Sequence, residues 1–331
     1  MDKVQKAALL REIELLRGGH GARLQALGIP LSTYYTWKRR YERGGIMALN
    51  RRNNGGPTWN RLTDLERDLI LTIARLHPDL SCRLLAVKIT DEEDFAVSEA
   101  TVYRLLKQHG LVVPRPLEGM PAKHEWQHKT KVCDEIWQCD ATHYFIIGWG
   151  FYKQITVLDD YSRNPLAWAL KPDETAFNIS DVIEQTLERA RGLGHLANGT
   201  KPQLLSDNGS GFTAKIMDEY LDVHGIKHIF GKPYHPQTQG KIERFHRSIK
   251  ERICLLVYCS PDELKRSLDE AINKYARTPH KALSNVSPLD VYLGRKEEIL
   301  KKRAEKKRLT LERRKIYNIG LWRQRHEVKQ P

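Results

Sequence analysis

Three acidic residues stand where a carboxylate is out of place for a purely structural role. Asp140 interrupts an apolar run that continues to Ile147, Asp207 follows a short apolar segment, and Glu243 lies 36 positions beyond Asp207. Carboxylates beside apolar strands are costly to bury unless a cation pairs with them. Three converging carboxylates repel one another, and a divalent metal ion is the usual remedy. We therefore treat this trio as a candidate metal site.

The chemistry such a site would perform is transfer at phosphorus. Three carboxylates are enough to hold two Mg²⁺ or Mn²⁺ ions about 4 Å apart. One ion lowers the pKa of a water or a 3′-hydroxyl, and the other stabilises the leaving oxygen. These ions prefer oxygen ligands, so neither His nor Cys is required. Each acid taken singly is more simply explained as a residue that caps a turn, and the joint placement of the three favours the metal site.

The elements that must position these acids form a predicted α/β domain at 132–260. We predict strands at 135–147, 151–159, 165–170, 203–206 and 227–231, with helices at 175–191, 214–224 and 240–256. Three consecutive strands followed by alternating helix and strand indicate a mixed five-stranded sheet with helices on both faces. Asp140 then lies on the central strand, Asp207 at the carboxyl end of its neighbour, and Glu243 near the start of the long helix. Sites in open α/β sheets lie at such strand ends.

The N-terminal third predicts two helix-turn-helix units, a DNA-binding domain at 1–50 and a second unit at 58–113. Their helices are expected at 3–16, 22–27 and 33–43, and then at 64–76, 82–90 and 99–109, with Ser32, Ser81 and Ser98 as N-caps. The alternative is a pair of helical bundles that pack but contact no DNA. Segments 51–57 and 114–131 are predicted linkers.

Basic side chains on two of these helices are candidate phosphate contacts rather than base readers. The candidates are Lys38, Arg39, Arg40, Arg43, Arg104 and Lys107. The aromatic residues interleaved with the first group favour packing over base stacking. They are Tyr34, Tyr35, Trp37 and Tyr41.

Further DNA contacts are expected beside the acids. Arg247 and Lys250 follow Glu243 at i+4 and i+7 and share its helix face, while Lys241 and Arg244 flank it. The simpler alternative for Arg247 is an ordinary Glu–Arg helix pair. The polar loop 234–240 before this helix is a candidate substrate gate.

The charge of the chain favours nucleic acid as partner. The 331 residues carry a formal charge of +14. Residues 1–60 hold 11 Lys or Arg against 4 Asp or Glu, and residues 295–331 hold 14 against 5. Both ends could grip phosphates, which predicts a steep salt dependence of affinity; solubility alone is the competing explanation. Within the helical C-terminal region 261–331, we predict a basic, charge-rich helix at 295–315. The tail 295–331 is either a DNA clamp or an oligomerisation helix.

Cysteine usage and hydropathy indicate the cellular compartment in which the protein is expected. No segment approaches the roughly 18 apolar residues of a membrane span, and the N-terminus lacks a signal-peptide profile. Five cysteines without Cys-x-x-Cys spacing favour reduced thiols in the cytoplasm. A zinc site at His124, His128, Cys133 and Cys139 is disfavoured, because Cys139 adjoins Asp140 within a strand and should face the other way.

Several motifs together resemble the DDE transposases and retroviral-type integrases, and in particular bacterial insertion-sequence transposases of the IS3/IS481 type. They comprise 137–142 (WQCDAT), 158–163 (LDDYSR), 206–209 (SDNG), 233–245 (PYHPQTQGKIERF), and Tyr275 with 279–283 and 287–288. The resemblance covers about 132–294 closely, and residues 32–41 resemble the helix-turn-helix of such transposases less specifically.

This resemblance implies an RNase H-like fold and a catalytic function. Asp140, Asp207 and Glu243 would be the ligands of two Mg²⁺ or Mn²⁺ ions, and Lys250 would contact the DNA end. It implies cleavage at the ends of an element and 3′-hydroxyl attack on target DNA, performed by a dimer or tetramer bridging two double-stranded ends. The expected location is the bacterial cytoplasm, on the nucleoid. Two alternatives remain, a DNA-binding regulator with an inactive core and an RNase H-like nuclease.

Overall fold

The computed structural model describes residues 2–15, 20–49, 58–112, 130–196, 199, 201–230, 240–254 and 256–327. The predicted linker 51–57, most of the linker 114–131 and most of the loop 234–240 lie outside these ranges. The chain divides into two compact units, Met1–Asp64 with Leu311–Pro331 and Leu65–Thr310.

The sheet lies in the second unit and has the order β3-β2-β1-β4-β5. Its strands are β1 (Ile136–Ile146), β2 (Gly150–Asp159), β3 (Pro165–Lys171), β4 (Gln203–Ser206) and β5 (Lys227–Phe230). The first three pair antiparallel, whereas β4 pairs parallel with both β1 and β5. This arrangement confirms the predicted mixed five-stranded sheet with β1 at its centre.

Helices cover both faces of the sheet, as expected. One face carries α7 (Ala176–Gly192) and α8 (Lys215–His224), which pack on Trp137 and Cys139 of β1. The other carries α9 (Gly240–Ile253) and α10 (Pro261–Arg277), whose apolar residues meet Tyr144 and Ile146. Alternate residues of β1 therefore pack into the cores on opposite faces of the sheet, because successive side chains of a strand point to opposite faces.

Burial of one stripe of α9 fixes the orientation of the whole helix. Ile242, Phe245 and Ile249 are fully buried, and each stabilises the fold by about 1.5–3 kcal/mol. Because these residues recur every three or four positions, the polar residues between them must lie on the remaining faces.

Three further helices begin the second unit, namely α4 (Asp64–Leu76), α5 (Cys82–Glu92) and α6 (Glu99–Gln108). The predicted N-caps are confirmed, since Ser81 accepts a hydrogen bond from the Leu84 amide and Ser98 accepts one from the Thr101 amide. Polar contacts join α5 to the C-terminal segments: Arg83 donates to the Pro279 carbonyl.

The first unit contains α1 (Lys3–Leu15), α2 (His20–Ala26) and α3 (Leu31–Ala48). Tyr34 is buried between them, and Trp37 and Tyr41 pack against the same core, which confirms the packing role predicted for these three aromatics. Tyr35, for which packing was also predicted, is instead exposed. The predicted N-cap at Ser32 was wrong: the helix begins at Leu31, two residues earlier than predicted, and Pro30 is the N-cap. The φ of −60° and ψ of 140° of Pro30 give the extended backbone that an N-cap position requires. The backbone of α3 breaks at Gly44 and Gly45 before one more turn.

The C-terminal segment contains α11 (Pro288–Tyr292) and the 32-residue α12 (Lys296–Glu327). Helix α12 runs twelve residues past the predicted end at 315 and contributes to both compact units. In the second unit Arg303 pairs with Asp91, and Lys306 donates to the Thr90 carbonyl. These contacts tie the first half of α12 to the C-terminal end of α5 within the second unit. Among the described residues, no helix is long and apolar enough to cross a bilayer.

Candidate active site

Strand register brings two of the three acids together. The parallel ladder pairs Ile136 with Gln203 and Gln138 with Leu205. The same register, continued by two residues, sets Asp140 opposite Asp207. Neighbouring strands lie about 4.8 Å apart and opposed residues of parallel strands project to the same face. Both carboxylates therefore belong to the face that α9 covers.

A tight turn positions Asp207 directly after β4. The Gly209 amide donates to Asp207 Oδ1 at 3.0 Å, so the side chain closes a local ring that fixes its own orientation. The chain then passes close beneath the start of α7: a side chain at Gly211 would lie 2.1 Å from the Glu174 carbonyl oxygen. Glycine is thus needed for this turn to approach the segment that leads into α7.

The third acid comes from the first turn of α9. The Ile242 amide donates to Gln138 Oε1 at 3.0 Å, and His246 Nδ1 lies 3.2 Å from Asp140 Oδ2. These two contacts align α9 with β1. One helical turn, from Ile242 to His246, spans about the same length as the two strand residues from Gln138 to Asp140. Glu243 adjoins Ile242 on the exposed side of the same turn.

The electrostatics show that the three acids share one environment. Partial burial raises the pKa of Asp207, and the charges of Asp140 and Glu174 add to this against the Gly209 hydrogen bond. Partial burial also raises the pKa of Glu243, with a further contribution from Asp140 and opposition from Arg247 and His246. Asp140 is therefore the common neighbour of the other two. Raised carboxyl pKa values and mutual repulsion are what a site prepared for a cation produces.

The side chains are not gathered into a finished metal site. Among the described residues, no three His, Cys, Asp or Glu side chains meet closely enough to hold an ion. The donor chemistry nevertheless fits a hard divalent cation, because all three groups are carboxylates on adjacent backbone segments.

Two polar features of this region were missed by the sequence reasoning. His246 is buried against Asp140, and its only sequence signal was a histidine placed among the apolar positions of α9. Asp160 is buried as well and accepts hydrogen bonds from Gln138 Nε2 and from Lys241 Nζ. Through Gln138, this network joins β1 to the first turn of α9.

The predicted DNA contacts on α9 separate into two groups. Arg247 is exposed one turn beyond Glu243, and Lys250 Nζ lies 5.4 Å from the Tyr144 ring centroid, four residues along β1 from Asp140. Lys241 and Arg244 instead line a cavity elsewhere on the helix. The four residues therefore do not form one surface.

The predicted contacts in the helical regions are mostly at the surface. Lys38 lies 3.4 Å from a Glu14 carboxylate oxygen, and Arg39 and Arg43 are exposed while Arg40 is half-buried. On α6, Arg104 and Lys107 are also exposed. Of the zinc candidates, His124 and His128 lie outside the described residues, and Cys139 is buried on the face opposite Asp140.

Family models match most of the regions just described. An integrase core domain model matches residues 133–236, and a second integrase core domain model matches residues 224–288. The first match contains Asp140 and Asp207, and the second contains Glu243. A homeodomain-like domain model matches residues 33–106.

Retroviral polyproteins are among the similar curated proteins. The Gag-Pro-Pol polyprotein of Mason-Pfizer monkey virus is 36% identical over 123 residues, covering 36% of this chain and 6% of that protein. That of squirrel monkey retrovirus is 32% identical over 170 residues, covering 51% and 8%. The chain thus corresponds to a small part of each.

One similar solved structure is the HTLV-2 integrase catalytic core domain in complex with magnesium, in its trimeric form. It is 22% identical, with a TM-score of 0.38, and the match covers 49% of this chain and 97% of that one. Together, the family models and the retroviral relatives support a relationship to the DDE integrases and transposases, with an integrase core over the segment that carries all three acids.

Proposed function

We propose that this protein is a DNA transposase of the bacterial insertion-sequence type, closest to the IS3/IS481 group. It would bind the ends of its element and join them to target DNA in the cytoplasm. The observation that carries the proposal is the register that sets Asp140 opposite Asp207, with Glu243 on the helix that covers them. All three lie within segments that match integrase core domains.

The carboxylates of Asp140, Asp207 and Glu243 would hold two divalent ions. Bound Mg²⁺ or Mn²⁺ would activate a water or a 3′-hydroxyl and neutralise charge at the scissile phosphate. The protein contributes the positioning of the ligands. The Gly209 amide orients Asp207, His246 orients Asp140, and Arg247 limits repulsion at Glu243.

The helical regions would hold the DNA on which the site acts. The match of residues 33–106 to a homeodomain-like model and the exposed basic residues of α3 and α6 support this role. Cutting and joining two ends requires two copies of the active site, so we propose a dimer or tetramer on double-stranded DNA.

A strand-transfer assay tests the proposal. The full chain is incubated with Mg²⁺, labelled duplexes carrying the inverted repeats that flank its gene, and a target plasmid. We expect cleaved ends and, in addition, labelled strands joined to the plasmid. Cleavage without joining would favour a nuclease, and DNA binding with neither product would favour a regulator with an inactive core; either result would overturn the proposal.

A further inference from the structure

A cavity lined by cationic side chains lies beside α9. It has a volume of about 150 Å³ and is bounded by residues from α5, the β2–β3 turn, α9 and the segment that ends α10. Its cationic lining consists of Arg83, Arg163, Arg244 and Arg252, with Lys241, which is paired with Asp160. None of the described lining residues is acidic. Such a concentration of one sign of charge in a concave site favours an anionic ligand.

The residues of α9 that line this cavity lie on a different face of the helix from Glu243. Lys241, Arg244 and Arg252 recur with Ser248 at i, i+3, i+7 and i+11, so they form one stripe of the helix. At about 100° per residue, this stripe lies roughly 125° around the axis from the one that carries Glu243 and Arg247. The cavity is therefore separate from the candidate metal site.

The opposite wall is fixed by hydrogen bonds. Arg83 Nη1 donates to the Pro279 carbonyl at 3.0 Å and to Asn285 Oδ1 at 2.8 Å. The His280 backbone pairs with Val286, and His280 Nδ1 accepts from the Ala282 amide at 3.2 Å. This wall is held in place before any ligand arrives, which lowers the cost of binding.

The positive charge inside the cavity contributes to the pKa shifts of two titratable side chains, His280 and Tyr275. Burial, together with the charges of Arg163, Arg83 and Arg244, lowers the pKa of His280 to about 4. Burial raises the pKa of Tyr275 to about 12, although Arg163, Arg244 and Arg252 act in the opposite direction. The four arginines thus act on one small volume, although they come from three distant parts of the sequence.

We propose that this cavity binds a phosphate group, supplied by the backbone of duplex DNA. Guanidinium groups match phosphate oxygens in pairs, and a cavity of about 150 Å³ takes a benzene-sized molecule, so a single phosphate fits. Arg244 and Arg252 are exposed at its edge, which leaves room for the continuing strand. The choice of DNA rests on the proposed function, and free phosphate shares the same chemistry.

Salt-dependent DNA binding by the full chain tests whether the phosphate group comes from DNA. The variants are Arg244→Gln and Arg252→Gln, with Arg266→Gln as the matched control because Arg266 is exposed on α10 and outside the cavity. Each cavity variant should weaken binding to a short random-sequence duplex by about tenfold. Each should also make the slope of log K against log salt less steep by about 1, while the control keeps the wild-type slope.

Thermal unfolding in inorganic phosphate, compared with chloride at equal ionic strength, tests the other source. A phosphate-induced rise of Tm in wild type and Arg266→Gln, absent from both cavity variants, would support a phosphate site. A slope change, with or without that rise, assigns the site to DNA; the rise alone assigns it to free phosphate. If neither differs from the control, the inference is overturned. Asp207→Asn should keep the wild-type salt slope and the phosphate-induced rise of Tm, because Asp207 does not line the cavity. The result of this test is therefore independent of whether the catalytic proposal holds.

Discussion

Replacing Asp207 by Asn is expected to abolish strand transfer while DNA binding is retained. The substitution keeps the size of the side chain and its hydrogen bond from the Gly209 amide, but removes the charge that a divalent ion requires. Asp140→Asn and Glu243→Gln should behave alike. Because metal ligands contribute several kcal/mol to stabilising the transition state, we expect each rate to fall by about 10³-fold or more.

The matched control for these variants is Glu251→Gln, an exposed carboxylate two turns beyond Glu243 on the same helix. It should transfer strands at the wild-type rate. Stability gives a second readout, since raised pKa values mean that the folded protein disfavours the charged forms of Asp207 and Glu243. Their neutral variants should therefore unfold at the wild-type Tm or above it. Strand transfer at an unchanged rate in all three variants would remove the catalytic assignment.

Replacing Asp134 by Ala is expected to destabilise the second unit by about 3–5 kcal/mol. Asp134 is 1% exposed and accepts hydrogen bonds from Trp137 Nε1 at 2.7 Å and from Tyr292 OH at 3.1 Å. His195 Nδ1 lies 2.7 Å from its other carboxylate oxygen. Truncation would leave the buried Trp137 and Tyr292 donors unpaired at the start of β1. Its φ of 60° adds a further cost for alanine.

Urea denaturation of the full chain would measure this effect. Asp134→Asn retains one acceptor oxygen and tolerates the left-handed backbone, so it should cost about 1–3 kcal/mol. Asp269→Ala, at an exposed position of α10, should change the unfolding free energy by at most about 0.5 kcal/mol. An Asp134→Ala variant as stable as Asp269→Ala would show that this cluster does not anchor the sheet.

Local patterns were sufficient to predict the sheet and its helices. The strands alternate or run apolar over four to eleven residues, and β4 was predicted with its observed ends. The central position of β1 followed from topology, because the meander fills one side and the parallel crossover fills the other. The end of α12 was missed because its Lys-, Arg- and Glu-rich sequence contains no glycine until Gly320 and no proline, and so gives no stop signal at 315.

Features that depend on long-range packing were not accessible from the sequence. Asp140 and Asp207 could be assigned to neighbouring strand ends, but their opposition depends on a register set by the whole sheet. Lys241 and Arg244 were grouped with Glu243 by closeness in sequence, whereas helix geometry turns them toward a different cavity. Arg83 and Arg163 of that cavity come from α5 and from the turn after β2, and only the tertiary fold brings them to α9.

The most direct test of the central claim is Mn²⁺ binding to the full chain on duplex DNA, followed by electron paramagnetic resonance. We predict that wild-type protein and Glu251→Gln bind Mn²⁺ with the same affinity. We also predict that Asp140→Asn, Asp207→Asn and Glu243→Gln each weaken that binding by tenfold or more, about 1.4 kcal/mol. Wild-type Mn²⁺ affinity in all three single variants would contradict a metal site shared by these carboxylates.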